Sequence, residues 1–319
     1  MDKILNVNIE GSQIMEQYEK EHEIIKPKFE FSIKNYLQAR LTPTESNKTM
    51  TIRLLPFSPD GGSPFKKVYI HPVKVNKEVS PSTWKTFICP VHNHKGDKCP
   101  FCEVSEKSRE LKFQATSEIE KKKYGDIEFM NRPKAAWVVR CIERGHEEDG
   151  PKFWLFNDSR KGDGIYDKII NIYLQRKEAA ERRGKECNIF DLNEGKDLII
   201  TLSKDTNGKT VTKIVDDDEK SPLSEDFEQG MSWINNEKTW DQVYTVKPYN
   251  FMSIIVQGET PVWDKEKACY VSAEEKEKAD KEAYEAEMRE NFTEQSSDFS
   301  TFINKPDVIA TGSEDSLPF

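Results

Sequence analysis

Three cysteines fall within 14 residues, in the run Cys89-Pro-Val-His92-Asn-His94-Lys-Gly-Asp-Lys-Cys99-Pro-Phe-Cys102. Cys99 and Cys102 are three apart, which puts both sulfurs on one turn, and Cys89 supplies a third across the loop. Thiolate and imidazole are the donors that Zn²⁺ takes when it closes tetrahedrally in a structural role. A disulfide framework is not expected in a chain that reads as intracellular, so the spacing points to one structural zinc ion. The residues alone leave the fourth donor open. His92 and His94 lie in the loop, and His71 ends a strand 18 residues before Cys89. Cys141, Cys187 and Cys269 are isolated and read as structural.

A second chemistry is spread along the strands. Binding of a single nucleic-acid strand needs a cationic groove for phosphates and aromatic faces on which bases stack. Arg53, Lys66, Lys67, Arg132, Lys134, Arg140 and Lys152 alternate with Tyr69, Phe129, Trp137 and Trp154. The same aromatics would equally serve a barrel core. In Ala135–Glu143, Trp137 and Val139 share one face and Val138 and Arg140 the other. The letters His92-Asn93-His94 beside a zinc centre also resemble HNH nucleases, in which a histidine activates water near a metal. There the letters stand for residues spread over a longer motif, and no Asn and His pair follows Cys102 at helical spacing.

The elements that must position these residues read mostly as strands, at 49–57, 66–75, 135–143, 152–157, 196–204 and 209–215. Turn signals bound them, and Asp205-Thr-Asn-Gly208 between two alternating runs predicts a hairpin. Helical insertions are expected at about 101–124 and 165–186, an apolar run at Phe251–Val256, and a charged helix at 272–290. The expected architecture is mainly β with α insertions. It has an N-terminal arm (1–30) and an OB-fold core (31–258), a partly open five-stranded barrel with a small zinc-binding subdomain at about 66–125. An acidic tail (259–319), helical and then disordered, completes it.

Charge separates tail from body. The chain of 319 residues carries a net −9, and residues 259–319 hold 16 acidic and 7 basic side chains, the whole of that excess. A neutral body joined to an acidic tail is compatible with a polyanion-binding body. No stretch reaches the ~18 apolar residues that cross a bilayer, and the first residues lack a secretory pattern, so a soluble intracellular protein is expected.

Residues from about 49 to 215 resemble the zinc-containing single-stranded DNA-binding, helix-destabilising protein of T-even bacteriophages. The resemblance rests on Thr51-Ile-Arg53-Leu-Leu-Pro56, Val68-Tyr-Ile-His71, the Cys89/Cys99/Cys102 spacing, Asn131-Arg-Pro-Lys134 before Trp137, Gly150-Pro-Lys-Phe-Trp154, Tyr166-Asp-Lys-Ile169 and Glu194-Gly-Lys-Asp-Leu198. It implies an OB-fold whose zinc ligands are His71, Cys89, Cys99 and Cys102, with Arg53, Arg132, Lys134 and Trp137 facing the DNA. The family's basic N-terminal motif for cooperative binding is not evident in residues 1–20, and loop 92–98 lacks the family's stacking tyrosines. Ser313-Glu-Asp-Ser-Leu-Pro-Phe319 is similar to the acidic tip through which bacterial single-stranded DNA-binding proteins recruit partners, with Glu314, Asp315, Leu317, Pro318 and Phe319 in that role.

These resemblances imply a non-enzymatic protein that coats single-stranded DNA in phage replication, recombination and repair, in the cytoplasm of an infected bacterium. Its implied partners are a polymerase, a helicase loader and a recombinase, with self-association on DNA and no membrane contact. The alternatives are a zinc-dependent nuclease and a virion structural protein with a structural zinc.

Overall fold

A computed structural model describes residues 33–57, 61–75, 83–159 and 161–302. Strands β1 (Asn47–Leu54), β2 (Phe65–Val75), β3 (Thr83–Ile88), β4 (Lys134–Glu143), β5 (Lys152–Asn157), β6 (Leu198–Lys204) and β7 (Thr210–Asp216) form one antiparallel sheet curled into a half-barrel. Helices α1 (Pro100–Gln114) and α2 (Glu118–Asn131) separate β3 from β4, and α3 (Ile165–Glu181) separates β5 from β6. Then follow α4 (Phe227–Ile234), α5 (Trp240–Val243), α6 (Tyr249–Gln257), β8 (Pro261–Asp264), β9 (Cys269–Ser272) and α7 (Ala273–Phe302).

All six strands expected from sequence are present, displaced by no more than two residues at their starts. β3, β8 and β9 were not anticipated, because each is only four to six residues long. The Phe251–Val256 run lies in α6. One expectation is corrected: residues 291–302, read as disordered, continue α7. No glycine or proline interrupts this helix, so nothing local stops it. The N-terminal arm and the tip residues Glu314, Asp315, Leu317, Pro318 and Phe319 lie outside the described residues.

The curl comes from strands that change partner. β4 pairs with β2 through Lys134–Val139 and with β1 through Cys141–Glu143, while β5 lies along Ala136–Cys141. β1 pairs with β6 through Asn47–Ile52 before it turns to β4. A strand shared in this way makes a corner. At the β6–β7 turn, Asp205 accepts from the backbone of Asn207 and Lys209, and Gly208 has φ 73°, as the hairpin prediction required.

Alternation then assigns side chains to two faces. Met50, Ile52, Leu54, Phe65, Val139, Trp154, Phe156, Leu198, Ile200 and Leu202 form one core with Ile169 of α3. Val68, Ile70, Ala136, Val138 and Phe153 point the other way and meet Val243, while Leu55 and Ile142 meet Leu223, Trp233 and Ile234. Each large apolar side chain so buried contributes ~1.5–3 kcal/mol. Both faces of the sheet are therefore covered, the second by the chain that follows β7.

By contact the chain divides into two compact units, described separately: the half-barrel with its covering segments, and chiefly residues 98–128 and 247–302. In the latter, α1 packs on α6 and α6 on the β8–β9 hairpin, with Phe101, Met252, Ile254 and Val271 buried. Tyr249 donates to Glu103 at 2.6 Å. Among the described residues no helix is long and apolar enough to cross a membrane.

Candidate metal centre and cationic surface

His71 lies within β2, β3 runs into Cys89, and Cys99 is the N-cap of α1, whose first turn carries Cys102. The four ligand atoms lie within 4.8 Å of one another and all four residues are buried. Three sulfurs and one imidazole nitrogen at that spacing could hold a metal ion. A tetrahedral ion with ~2.3 Å metal–sulfur bonds needs its sulfurs ~3.8 Å apart, which small adjustments deliver. The N-terminus of α1 adds partial positive charge beside Cys99 and Cys102, where negative ligands are favoured.

The histidine is prepared for this role. His71 Nδ1 lies 2.8 Å from the carbonyl of Asn131, the last residue of α2. That carbonyl has no intrahelical donor, so the imidazole N–H satisfies it. Nδ1 is then the protonated nitrogen, and Nε2 keeps its lone pair for a metal. His92 and His94 are exposed and stand outside the group of four.

The loop between Cys89 and Cys99 is held by Asn93. Its Nδ2 donates to the carbonyls of Tyr69 and Cys89, both at 2.7 Å, and its Oδ1 accepts from Tyr69 N–H at 3.0 Å. The amide thus imitates a neighbouring strand, and the middle letter of the His-Asn-His run has a scaffold role. His92 Nδ1 lies 3.3 Å from Cys89 Sγ. His146, Glu148 and Asp149 also cluster, but they are largely exposed, and Asp149 pairs with Lys34 and Lys152.

Of the side chains expected to face DNA, four are interior, and this is a correction. Arg53 is 1% exposed and donates to Asp197 at 3.0 Å, Ser221 Oγ at 3.1 Å, and the carbonyls of Asp191 and Ser221. Burial pulls its guanidinium below the ordinary arginine value, while Asp197 pulls it back up. Arg144 shares Asp197, at 2.8 Å and 3.0 Å. Gly195 is required here: a Cβ on it would lie 2.3 Å from the Asp191 carbonyl and 2.5 Å from Arg53 Nη2. Arg140 is buried, donating to the carbonyls of Asn236 and Phe57. Lys152 is buried too; against desolvation, hydrogen bonds to Glu143 and Asp149 raise its pKa. Trp154 belongs to the core beside Phe156. Arg53 and Arg140 are interior because the chain after β7 covers their face.

The rest stay at or near the surface. Lys66 and Lys67 are exposed, and Tyr69, Arg132, Lys134 and Trp137 are half-buried. The β2–β4 register sets Lys67 opposite Trp137 and Tyr69 opposite Ala135. Trp137 stacks on Tyr166 of α3, with centroids 4.2 Å apart and planes 7° from parallel. Its Nε1 donates to Asp158 at 3.0 Å, and Lys67 Nζ lies 5.3 Å from its ring. Phe129, near the end of α2, is 51% exposed, with Arg132 Cζ and Lys134 Nζ 4.6 Å and 4.9 Å from its ring.

Arg132 and Lys134 are uncompensated. Among the described residues neither forms an ion pair with a carboxylate, and Arg132 Nε is buried without a hydrogen-bond partner. Burial and then the Arg132 charge hold Lys134 below the ordinary lysine value. The two cations therefore repel each other beside one aromatic ring. The residues that sequence reasoning missed are Asp158 and Tyr166, which lie far along the chain from Trp137. The sequence matches no protein-family model and no curated protein.

Proposed function

We propose that this chain is a sequence-tolerant single-stranded DNA-binding protein of a bacteriophage replication system, with no catalytic role. In this reading the half-barrel is an OB-fold, and the metal is zinc bound by His71, Cys89, Cys99 and Cys102. One observation carries it: Arg132 and Lys134 share the Phe129 ring, and among the described residues no carboxylate pairs with either. Phosphate would supply the missing charge, and the half-exposed ring would stack a base, worth ~1–3 kcal/mol. Lys67, Tyr69 and Trp137 would extend the track along one face of β2 and β4, with Lys66 on the opposite face.

Zinc is favoured by the donor set, since three thiolates and one imidazole suit a structural tetrahedral ion. With all four positions filled by protein, the ion would hold the ligand segments and perform no reaction. The acidic tail would recruit replication and recombination enzymes through residues 313–319 and compete with DNA for the cationic track. The test is a titration of oligo-dT into the protein at low salt, followed by tryptophan emission. Stacking near Trp137 predicts saturable quenching that salt reverses. Unchanged emission, together with no retention of labelled oligo-dT, overturns the proposal.

A further inference from the structure

We propose that Asp158 is a built-in counter-ion that weakens nucleic-acid binding by holding Lys67 in place of a phosphate. The inference rests on the single-strand reading above and names a regulator of that same surface. Asp158 lies one residue beyond β5, and its N–H donates to the carbonyl of Ala135 at 3.0 Å, extending the β4–β5 ladder. This pins the carboxylate beside β4. One oxygen accepts from the Trp137 indole at 3.0 Å, and the other lies 3.4 Å from Lys67 Nζ. Lys67 is 46% exposed and Asp158 24%, so the pair is accessible to an incoming strand.

An oxygen pair that bridges an ammonium and an indole N–H at the edge of an aromatic stack imitates what a phosphodiester would offer there. A strand that reaches Lys67 must displace that carboxylate or share the cation with it. Lys67 then releases less bound counter-ion than a solvated lysine would, and contributes less to affinity. Among the described residues Arg132 and Lys134 have no such internal anion, so Lys67 is muted where those two cations are not.

Asp158→Asn isolates the charge, because an amide oxygen still accepts from Trp137 while Lys67 is released. Affinity for oligo-dT should rise about two- to fivefold at ~50 mM salt. The slope of log K against log salt should steepen by about 0.7, the value of one further phosphate contact on a single strand. In a Lys67→Met background the same substitution should change neither quantity. Tryptophan emission of the free Asp158→Asn protein, matching wild type, reports that the indole has kept its position. A parallel slope, weaker binding, or a gain that persists without Lys67 overturns the role of Asp158 while wild-type binding stands. Failure of the wild type to bind oligo-dT at all overturns both this role and the reading beneath it.

Discussion

Two cationic clusters in the half-barrel treat positive charge in opposite ways. Around Asp197, Arg53 and Arg144 are enclosed with Ser221 and the carbonyls of Asp191, Ser221, Pro222 and Leu223, and their donors are met. Around Phe129, Arg132 and Lys134 lie against a half-exposed ring, and among the described residues no carboxylate pairs with them. The first cluster is complete within the chain and holds the fold. The second has no carboxylate partner among the described residues, and in the proposed reading phosphate supplies it. Charge balance, more than the count of basic residues, therefore separates the structural arginines from the cations proposed to bind.

The strongest way to break the contrast is to upset a balanced interior. If the His71, Cys89, Cys99 and Cys102 cluster holds zinc as proposed, chelation, or replacing Cys99 and Cys102 by Ser, should abolish stoichiometric zinc and cost several kcal/mol, since structural zinc sites in zinc-finger peptides bind with about 10–16 kcal/mol. Elemental analysis and thermal unfolding read both outcomes. Arg53→Met leaves Asp197 to Arg144 alone and removes the Arg53 bonds to the carbonyls of Asp191 and Ser221, and should cost about 1–3 kcal/mol in denaturant unfolding for each buried acceptor left unmet. Retained stability in that variant would mean that the cage contributes little.

The open cluster should behave in reverse. Arg132→Ala with Lys134→Ala removes two half-buried cations that repel each other, and should keep the fold and change stability by no more than about 1 kcal/mol. The same pair should weaken oligo-dT binding about ten- to thirtyfold at ~0.1 M salt. Phe129→Ala removes one stacking face and should cost ~1–3 kcal/mol in binding, with the salt slope unchanged. The smallest effect is expected from Lys66→Ala, a single exposed lysine, at roughly twofold in affinity.

How much of this could be read from the chain depends on sequence distance. The cysteine spacing is local, so three donors were legible at once, and the strands were legible from their β-branched and aromatic runs. His71 could be chosen over His92 and His94 only by resemblance; its bond to the Asn131 carbonyl supplies the physical reason. The fate of Arg53 depends on Asp197, 144 residues away, and that of Arg140 on Asn236, 96 residues away. No local pattern announces such pairings, so both arginines read as surface groups. Trp137 and Trp154 share a sheet face, yet one joins the core and the other stacks on α3, a difference fixed by packing.

The most direct test of the account is the salt dependence of oligo-dT affinity for wild type beside the Arg132→Ala, Lys134→Ala double variant. Two lost phosphate contacts predict a log–log slope shallower by about 1.4 at unaltered unfolding midpoint. Equal slopes for the two proteins would contradict the claim that this uncompensated pair is where nucleic acid binds.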